Sequence, residues 1–455
     1  MDDEERKTIS APPDPPEEGQ GGAGTISAPP DPAEEGQGGA GTISAPPDPP
    51  EEGQGGAGDH RRWLRDLELA HFEPTSPGMA YWLPRGMAVM RSLQDHWRRS
   101  HARWGYQEVS TPILARDPLY ASSGHLQHFA DSMFFVDAGN GDRMGLKPVN
   151  CPGTMVIFRS RRRSHRELPL RLSCDDPLHR NERSGVLTGL LRVQLFHQDD
   201  AHVFVAPDQA REELVELLRH AERLYAGLGL GFRLRLGGAP PGHIGDDATQ
   251  ARAEAVLAEA LDIVQGPGGY ERAEGEGAFY APKADILVQD RLGREWQLGT
   301  IQLDYEMPRR LDCRYVGADG REHVPAVIHR AFLGSYERFL GVLLEHTDGH
   351  LPPFLAPVQV QLVPVAARHV AAARALAAAL REHGLRVEVG DGVERVAAQV
   401  RDAALHRVPF VGVLGDREVA DGTVTLRGPG GQDLGSVRHD ALDDALGAAC
   451  RPPEV

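Results

Sequence analysis

The order of predicted secondary-structure elements changes at Leu351–Pro353, and this change divides the chain into two parts of different fold class. After these prolines, strands and helices alternate in the order β-α-β-α-β, which implies a parallel sheet with right-handed crossovers. The predicted elements are strands Val358–Val365, Leu385–Val389 and Phe410–Leu414 and helices His369–His383 and Glu394–His406. We therefore expect an α/β domain over residues 354–455.

The segment before this boundary mixes helices with β-rich stretches that do not alternate regularly with them. Pro84–Tyr106 predicts a long helix, and Asp208 is a candidate N-cap of a second one. The second helix has an apolar face at helical spacing, made of Leu214, Leu217, Leu218, Ala221, Leu224 and Tyr225. The β-rich stretches include ADILVQD (284–290) and EWQLGTIQLDY (295–305). This mixture predicts an α+β domain with a largely antiparallel sheet over residues 59–353.

Residues 1–58 form an acidic tail that contains three near-identical repeats of 17 residues, TISAPPDPPEEGQGGAG. Each repeat has one large apolar residue, an isoleucine, so it cannot bury enough surface to offset the loss of chain entropy. We therefore predict that this tail is disordered. Its function, a solvated extension or a docking segment, stays open.

The net charge of −17 is unevenly distributed along the chain. Residues 1–58 carry 13 acidic and two basic residues, so −11 lies in the tail and −6 on residues 59–455. A mildly acidic body can still bind nucleic acid through a local basic patch. Arg159, Arg161, Arg162 and Arg163, with Arg166 and Arg171, form the candidate patch.

The cysteines and the N-terminus give an expectation about location. Cys151, Cys174, Cys313 and Cys450 form no CxxC pair, which favours a reduced, cytoplasmic setting. The start, MDDEERK, is acidic and lacks the apolar core of a secretory signal. No apolar run approaches ~20 residues, so we expect no membrane span.

Several common catalytic motifs are absent. The sequence has no GxxxxGK[ST] phosphate loop, no GxSxG elbow, no HExxH helix and no local zinc-finger spacing, and Gly227–Gly231 does not fit the GxGxxG fingerprint. Any ATP phosphates must therefore be held by side chains, and any metal site must be assembled from distant segments. A single Cys or His such as Cys151, His202 or His329 is, by itself, an ordinary core or surface residue.

Nine motifs, read together and in order, resemble those of the threonyl-tRNA synthetase family, a family of class II aminoacyl-tRNA synthetases. The resemblance runs from about Asp59 to Val437. The motifs are QEVSTPIL (107–114), SGHLQHF (123–129), LKPVNCPG (146–153), HRNE (179–182), QDDAH (198–202), GEGAFYAPK (275–283), WQLGTIQLD (296–304), VIHRAFLGSYERF (327–339) and RVPFVGVLGDREV (407–419).

The resemblance implies a fold and a set of site residues. It implies an antiparallel class II catalytic domain over residues 59–353, followed by an α/β anticodon-binding domain. It implies that Arg180 and Arg338 hold the ATP phosphates, that Glu182 holds the adenine amino group, and that Phe196 stacks on the base. It further implies nucleotide contacts from Arg192, Gln297 and Thr300, transfer chemistry near His125 and Lys283, and anticodon contacts from Glu418 and Arg427. Homodimerisation around Val109–Pro112 is also implied.

The resemblance also implies one zinc ion per subunit, held by Cys151, His202 and His329, beside ATP with Mg²⁺ as substrate. Three protein ligands leave tetrahedral zinc an open position, which in this family takes the amino and hydroxyl groups of threonine. Asp200 is implied to pair with the ammonium group, and Gln198, Tyr280, Gln302 and Ser335 to line the amino-acid pocket. Coordination of the hydroxyl explains how valine is rejected, because a hydrophobic pocket separates such isosteres by only ~10².

The sequence departs from the usual family residues at several matched positions. In or beside the expected pocket these are Val149, Thr154, Gln194, Leu195 and His197, while Leu298 departs at a position not expected to lie there. Neutral repacking and altered inhibitor sensitivity or acceptor choice are the two interpretations. Val393 replaces an asparagine that is expected at the anticodon.

Three functional hypotheses follow from the resemblance. The first is an AMP-forming threonine–tRNA ligase for tRNA(Thr) that lacks the N-terminal TGS and editing domains common in the family. The second is a threonine-activating relative that serves a non-tRNA acceptor, although such an enzyme needs no anticodon-binding domain. The third is a non-catalytic tRNA-binding regulator, which has no chemical need for Arg180, Glu182, Arg338 or the three zinc ligands.

Overall fold

The computed structural model describes residues 58–139 and 141–453, so the prediction of a disordered tail lies, apart from Gly58, outside the described residues. The α-helices of this part are α1 (His60–Asp66), α2 (Pro84–Arg103), α3 (Asp117–Ser122), α4 (His125–His128), α5 (Cys151–Arg159), α6 (Ala210–Gly227), α7 (Asp247–Gln265), α8 (Met307–Arg310), α9 (Tyr336–Thr347), α10 (Val370–Glu382), α11 (Val396–Leu405), α12 (Asp416–Asp421) and α13 (Leu442–Cys450).

The strands alternate irregularly with these helices up to residue 350 and regularly thereafter. They are β1 (Ala70–Phe72), β2 (Ala80–Trp82), β3 (Gln107–Glu108), β4 (Leu114–Arg116), β5 (Phe135–Asp137), β6 (Arg143–Leu146), β7 (Arg163–Ser164), β8 (Leu170–Cys174), β9 (Pro177–His179), β10 (Leu195–His197), β11 (Asp200–Val205), β12 (Phe232–Gly237), β13 (Glu271–Ala273), β14 (Lys283–Gln289), β15 (Glu295–Asp304), β16 (Tyr315–Val316), β17 (Glu322–His323), β18 (Ala326–Ala331), β19 (Val360–Pro364), β20 (Val387–Val389), β21 (Phe410–Leu414), β22 (Thr423–Arg427) and β23 (Asp433–Arg438).

The first part of the chain is built on an eight-stranded sheet with the strand order β13-β12-β14-β15-β18-β11-β8-β3. Its central pairs are antiparallel, and only the edge pairs β12–β13 and β3–β8 are parallel. The prediction of a largely antiparallel sheet is therefore confirmed. Ile286, Ile301 and Ile328 of the sheet share one apolar core with the helices that cover it.

Helix α6 shows why the helical spacing was informative and where the predicted cap was wrong. All six residues of its predicted apolar face are buried in the core. The predicted N-cap Asp208 does not cap the helix, because the helix begins at Ala210 and its N-cap is Gln209. The Gln209 Oε1 accepts a hydrogen bond from the Ala206 amide at 2.9 Å, so Gln209 closes this turn.

The second part of the chain forms a five-stranded sheet with the order β20-β19-β21-β22-β23. Strand β19 is parallel to both β20 and β21, which confirms the predicted β-α-β-α-β arrangement. The antiparallel strands β22 and β23 were not predicted. They are joined by a short turn in which Gly430 and Gly431 have positive φ values of 70° and 80°.

The predicted boundary at residues 353 and 354 falls in a segment without helix or strand. Phe354 and Leu355 pack in the core of the eight-stranded sheet, whereas Val360 and Leu362 pack in the core of the five-stranded sheet. The division at this residue stays a prediction. Among the described residues, no helix combines the length and apolar character needed to cross a membrane.

Candidate active site

One cleft on the eight-stranded sheet collects most of the predicted site residues around a cavity of about 240 Å³. Sixteen of them line it, from strands β10, β11, β14, β15 and β18, helices α4, α5 and α9 and the connecting loops. These residues are His125, Cys151, Arg180, Glu182, Arg192, Phe196, Gln198, Asp200, Tyr280, Lys283, Gln297, Thr300, Gln302, His329, Ser335 and Arg338.

A row of directly paired residues runs across the sheet at this cleft. Lys283 in β14 lies opposite Gln302, Gln302 in β15 lies opposite His329, and His329 in β18 lies opposite His202 in β11. Residues directly opposite each other in antiparallel strands project from the same face of the sheet. Four sequence segments that lie far apart in the chain therefore present these side chains side by side.

The cleft contains a compact group of potential metal ligands. Cys151, at the first residue of α5, meets His202 and His329, and their ligand atoms all lie within 4.8 Å of one another. All three residues are buried. Both ring nitrogens of His202 and the Nδ1 of His329 are buried without a hydrogen-bond partner.

These three residues fit a divalent cation with nitrogen and sulfur ligands. Buried polar atoms without a partner are costly, and a cation shared by the two imidazoles would remove that cost. Burial lowers the pKa of His202 well below its ordinary value, so the ring is neutral, which is the form that ligates metals. A Cys–His–His set suits zinc and leaves a fourth position open.

Two residues that we did not predict from the sequence support this site. The Asp304 carboxylate lies 3.0 Å from the His329 Nε2, which leaves the Nδ1 free for a metal. The Asn150 Nδ2 donates to the Asp200 Oδ2 at 3.0 Å, which orients the predicted ammonium-binding carboxylate. Asn150 lies within the motif LKPVNCPG and Asp304 within WQLGTIQLD, and this position was the signal that the sequence offered.

The other end of the cleft has an excess of positive charge. Arg180, Arg192 and Arg338 converge there, and the one carboxylate beside them, Glu182, pairs with Arg192 at 2.8 Å. Burial, reinforced by Arg192 and Arg180, lowers the pKa of Arg338 to about 10, so its guanidinium is still charged at neutral pH. Half-buried cations that outnumber the anions beside them favour an anionic ligand.

Other predicted residues line the cleft with contacts of their own. Phe196 lies beneath Arg180, whose guanidinium is 5.0 Å from the ring centre. The hydroxyl of Tyr280 donates to the Gln302 amide oxygen. His125 contacts the Ser123 hydroxyl through its Nδ1 at 2.9 Å, and burial lowers the pKa of His125 to about 3, so its ring is neutral.

Asp285 is a further residue that sequence reasoning missed. It is fully buried beneath the cleft, and its carboxylate accepts from the Lys283 Nζ at 2.9 Å and from the Gln297 Nε2 at 2.6 Å. Because a carboxylate only accepts, the amide of Gln297 must turn its nitrogen towards Asp285. The Gln297 Oε1, which is buried and has no partner, is thereby left as an acceptor.

The family resemblance implies that the substrates are ATP and threonine; on that expectation, Asp285→Asn should reduce kcat/KM for ATP about 100-fold, because small misplacements of aligned groups cost rates of this order. The asparagine can rotate its amide, so Gln297 and Lys283 lose their defined orientation. ATP–pyrophosphate exchange at varied ATP and threonine checks this, with KM for threonine expected to change little. The matched control is Asp290→Asn, which removes a buried carboxylate at the far end of the same β14–β15 hairpin. Equal losses in both variants would contradict the prediction.

The positions that depart from the family pattern make defined contacts. The His197 Nδ1 lies 3.0 Å from the Glu337 Oε1, and the Gln194 Nε2 donates to the Glu182 carbonyl at 2.8 Å. The Thr154 hydroxyl donates to the Cys151 carbonyl at 2.9 Å. Leu298 lines the cleft, so the expectation that it lies away from the pocket is wrong. The two interpretations of these departures remain open.

The predicted anticodon residues lie on the five-stranded sheet and not in the cleft. Glu418 is in α12, where its carboxylate accepts from the Gly415 amide and the Thr425 hydroxyl, each at 2.9 Å. Arg427 is the exposed last residue of β22. Val393 is 80% exposed on the loop that precedes α11.

Comparisons with known proteins cover both sheets. Residues 134–347 match the model described as the tRNA synthetase class II core domain (G, H, P, S and T), and residues 359–448 match the anticodon binding domain. The crystal structure titled as the RNA binding domain of threonyl-tRNA synthetase from Cryptosporidium parvum Iowa II is 36% identical, with a TM-score of 0.83. That similarity covers 86% of this chain and 98% of the other.

Longer relatives show the same similarity. The threonine–tRNA ligase of Caldanaerobacter subterraneus subsp. tengcongensis is 41% identical over 84% of this chain and 59% of its own length. That of Thermotoga neapolitana is 42% identical over 85% of this chain and 60% of its own length. The chain thus spans about three fifths of the length of these relatives.

Proposed function

Because this chain belongs to the threonyl-tRNA synthetase family, whose members are class II aminoacyl-tRNA synthetases, we propose that it activates L-threonine with ATP and transfers it to tRNA(Thr). The observation that carries this proposal is the joining, in one cleft, of a buried Cys–His–His cluster with three converging arginines. The Cys–His–His end suits an amino acid with a hydroxyl group, and the arginine end suits a nucleoside triphosphate.

The first step requires the threonine carboxylate and the α-phosphorus of ATP in line. Arg180 and Arg338 neutralise charge on the phosphates while a carboxylate oxygen attacks the α-phosphorus and pyrophosphate leaves. Asp200, oriented by Asn150, pairs with the ammonium group. Zinc held by Cys151, His202 and His329 would act as a Lewis acid towards the amino and hydroxyl groups of threonine.

The second step requires the tRNA in the same cleft. A hydroxyl of its 3′-terminal ribose attacks the carbonyl of threonyl-adenylate, and AMP leaves. His125 and Lys283 line the same cleft and would contact this end of the RNA. The five-stranded sheet, with Glu418 and Arg427, would bind the anticodon. A homodimer formed around Val109–Pro112 belongs to the same proposal.

One experiment tests this function against its two alternatives. Threonine-dependent ATP–pyrophosphate exchange is measured first, and charging of tRNA(Thr) is measured on the same preparation. Exchange with charging supports the ligase. Exchange without charging indicates a threonine-activating enzyme with another acceptor, and absence of exchange indicates a non-catalytic tRNA-binding protein.

We expect the polypeptide of this sequence, assayed alone, to charge tRNA(Thr) with serine at a measurable rate. Serine keeps the hydroxyl group that the metal would coordinate and lacks only one methyl group. A methyl group in a pocket contributes ~1–3 kcal/mol, or ~10–200-fold discrimination. Serine and threonine charging by one preparation check this, with valine as the control that should be rejected more strongly. A threonine-to-serine ratio above ~10⁴ would overturn the prediction.

A further inference from the structure

A second concave pocket, which we call the arginine pocket, lies outside the cleft. Its arginines come from the end of α5, the following turn and the segment before β16. They are Arg159, Arg161, Arg162, Arg163 and Arg314. Only two carboxylates, Asp312 and Glu322, share the lining.

The positive charge of this pocket is only partly neutralised. Glu167 pairs with Arg161 at 2.5 Å and with Arg163 at 3.4 Å, and Asp312 pairs with Arg314 at 2.7 Å. Within residues 58–139 and 141–453, Arg159 and Arg162 have no carboxylate partner, and both are exposed. Two guanidinium groups are therefore available for an anion from outside the chain.

The structure also corrects the extent of the basic patch expected from the sequence. Arg171 does not belong to it, because its guanidinium forms two hydrogen bonds with the Glu213 carboxylate, at 2.6 and 2.5 Å. Arg166 is exposed beside the pocket but does not line it. The arginine pocket thus keeps four of the six arginines of the expected patch and adds Arg314.

A single helix connects the arginine pocket to the cleft. Helix α5 has nine residues, begins with Cys151 in the cleft and ends with Arg159 in the arginine pocket. At 1.5 Å per residue its ends are about 12 Å apart. This separation is short enough for a few nucleotides of one strand to span.

We propose that the arginine pocket binds the sugar-phosphate backbone of the tRNA whose 3′ end enters the cleft. This inference rests on the proposed function, because only an RNA substrate brings a polyanion to this place. Guanidinium groups bind phosphate oxygens in pairs through their planar fork. Residues 59–455 carry a net charge of −6, so their overall charge does not attract RNA and local basic contacts are needed to hold it.

The test compares two double variants of the full chain with the unchanged protein. Arg159→Gln/Arg162→Gln removes the two unpaired charges, and Arg219→Gln/Arg223→Gln, on exposed positions of α6, removes the same charge elsewhere. Dissociation constants for tRNA(Thr) are measured by filter binding over a series of salt concentrations. Threonine-dependent exchange without tRNA shows that each variant is folded and active.

For the arginine-pocket variant we expect about 10-fold weaker tRNA binding. The slope of log Kd against log salt concentration should be less steep by about 1 to 2, because fewer phosphate contacts form and fewer counterions are released on binding. Exchange should stay within about twofold, and the α6 variant should bind like the unchanged protein. Equal binding by both variants would overturn the inference. Tighter binding by the arginine-pocket variant would overturn it too, since it indicates that the acidic tail occupies the pocket.

The same measurements separate this inference from the proposed function. If the unchanged protein shows no exchange or no charging, the proposed function fails by that result alone. Binding of tRNA does not depend on catalysis, so the comparison of the two variants still decides whether the arginine pocket contacts RNA.

Discussion

Replacing Cys151 with alanine should abolish threonine-dependent ATP–pyrophosphate exchange and release zinc from the protein. Cys151 would contribute the sulfur ligand of the buried set, and the remaining His202 and His329 would give only two ligands. A Lewis acid contributes several kcal/mol, so we expect a loss of about 10³-fold or more in exchange rate.

The chain offers a matched control for this substitution. Cys313 is fully buried, lies in the same apolar cluster as Cys151 and is not part of the ligand set. Cys313→Ala should keep its zinc and most of its exchange activity. Metal content by elemental analysis and exchange rates are measured on both variants. Full exchange by a protein verified to be free of zinc would refute the role of the metal.

Replacing Arg338 with glutamine should lower exchange about 10³-fold without destabilising the fold. An arginine that meets transition-state charge on a transferring phosphoryl group contributes about 10³–10⁵ in rate. The stability expectation follows from the direction of its pKa. Burial and the neighbouring Arg192 and Arg180 lower the pKa of Arg338, so its charged form is less stable in the folded than in the unfolded chain. Its removal therefore relieves a cost and should leave Tm unchanged or raised.

Thermal unfolding and exchange measured together distinguish a catalytic from a structural role of Arg338. Arg338→Lys keeps a charge but loses the planar fork, so it should recover only part of the activity. Arg219→Gln, an exposed position on α6, should change neither quantity. A lowered Tm in Arg338→Gln, or retained exchange at normal stability, would contradict the prediction.

Local sequence patterns predicted the parts of the fold that depend on near neighbours in the chain. The apolar spacing of α6 predicted its buried face. The alternation of strands and helices after Leu351–Pro353 predicted the parallel pairing of β19 with β20 and β21. These features follow from periodicity, which a single stretch of chain carries by itself. Asp208 shows the limit, because several polar residues can end a turn and Gln209 does so here.

Prediction of the cleft required information that no single segment of the sequence contains. Spacing left Cys151, His202 and His329 as ordinary residues, and only the family resemblance connected them. The antiparallel register then aligned His202 with His329 and Gln302, and it placed Asp304 on the His329 ring. Register is a pairing between distant strands, so it is set by the packing of the whole sheet.

The amino-acid sequence was enough to predict the two fold classes, the residue types available for chemistry and the uneven distribution of charge. Which of these residues meet became visible only in the folded chain: Asp285 orients Gln297, Glu213 neutralises Arg171, and within residues 58–139 and 141–453 Arg159 and Arg162 have no carboxylate partner. Hydrogen bonds and ion pairs act over only a few ångströms. The atoms that form them can lie hundreds of residues apart in the chain, so only the folded chain shows which of them meet.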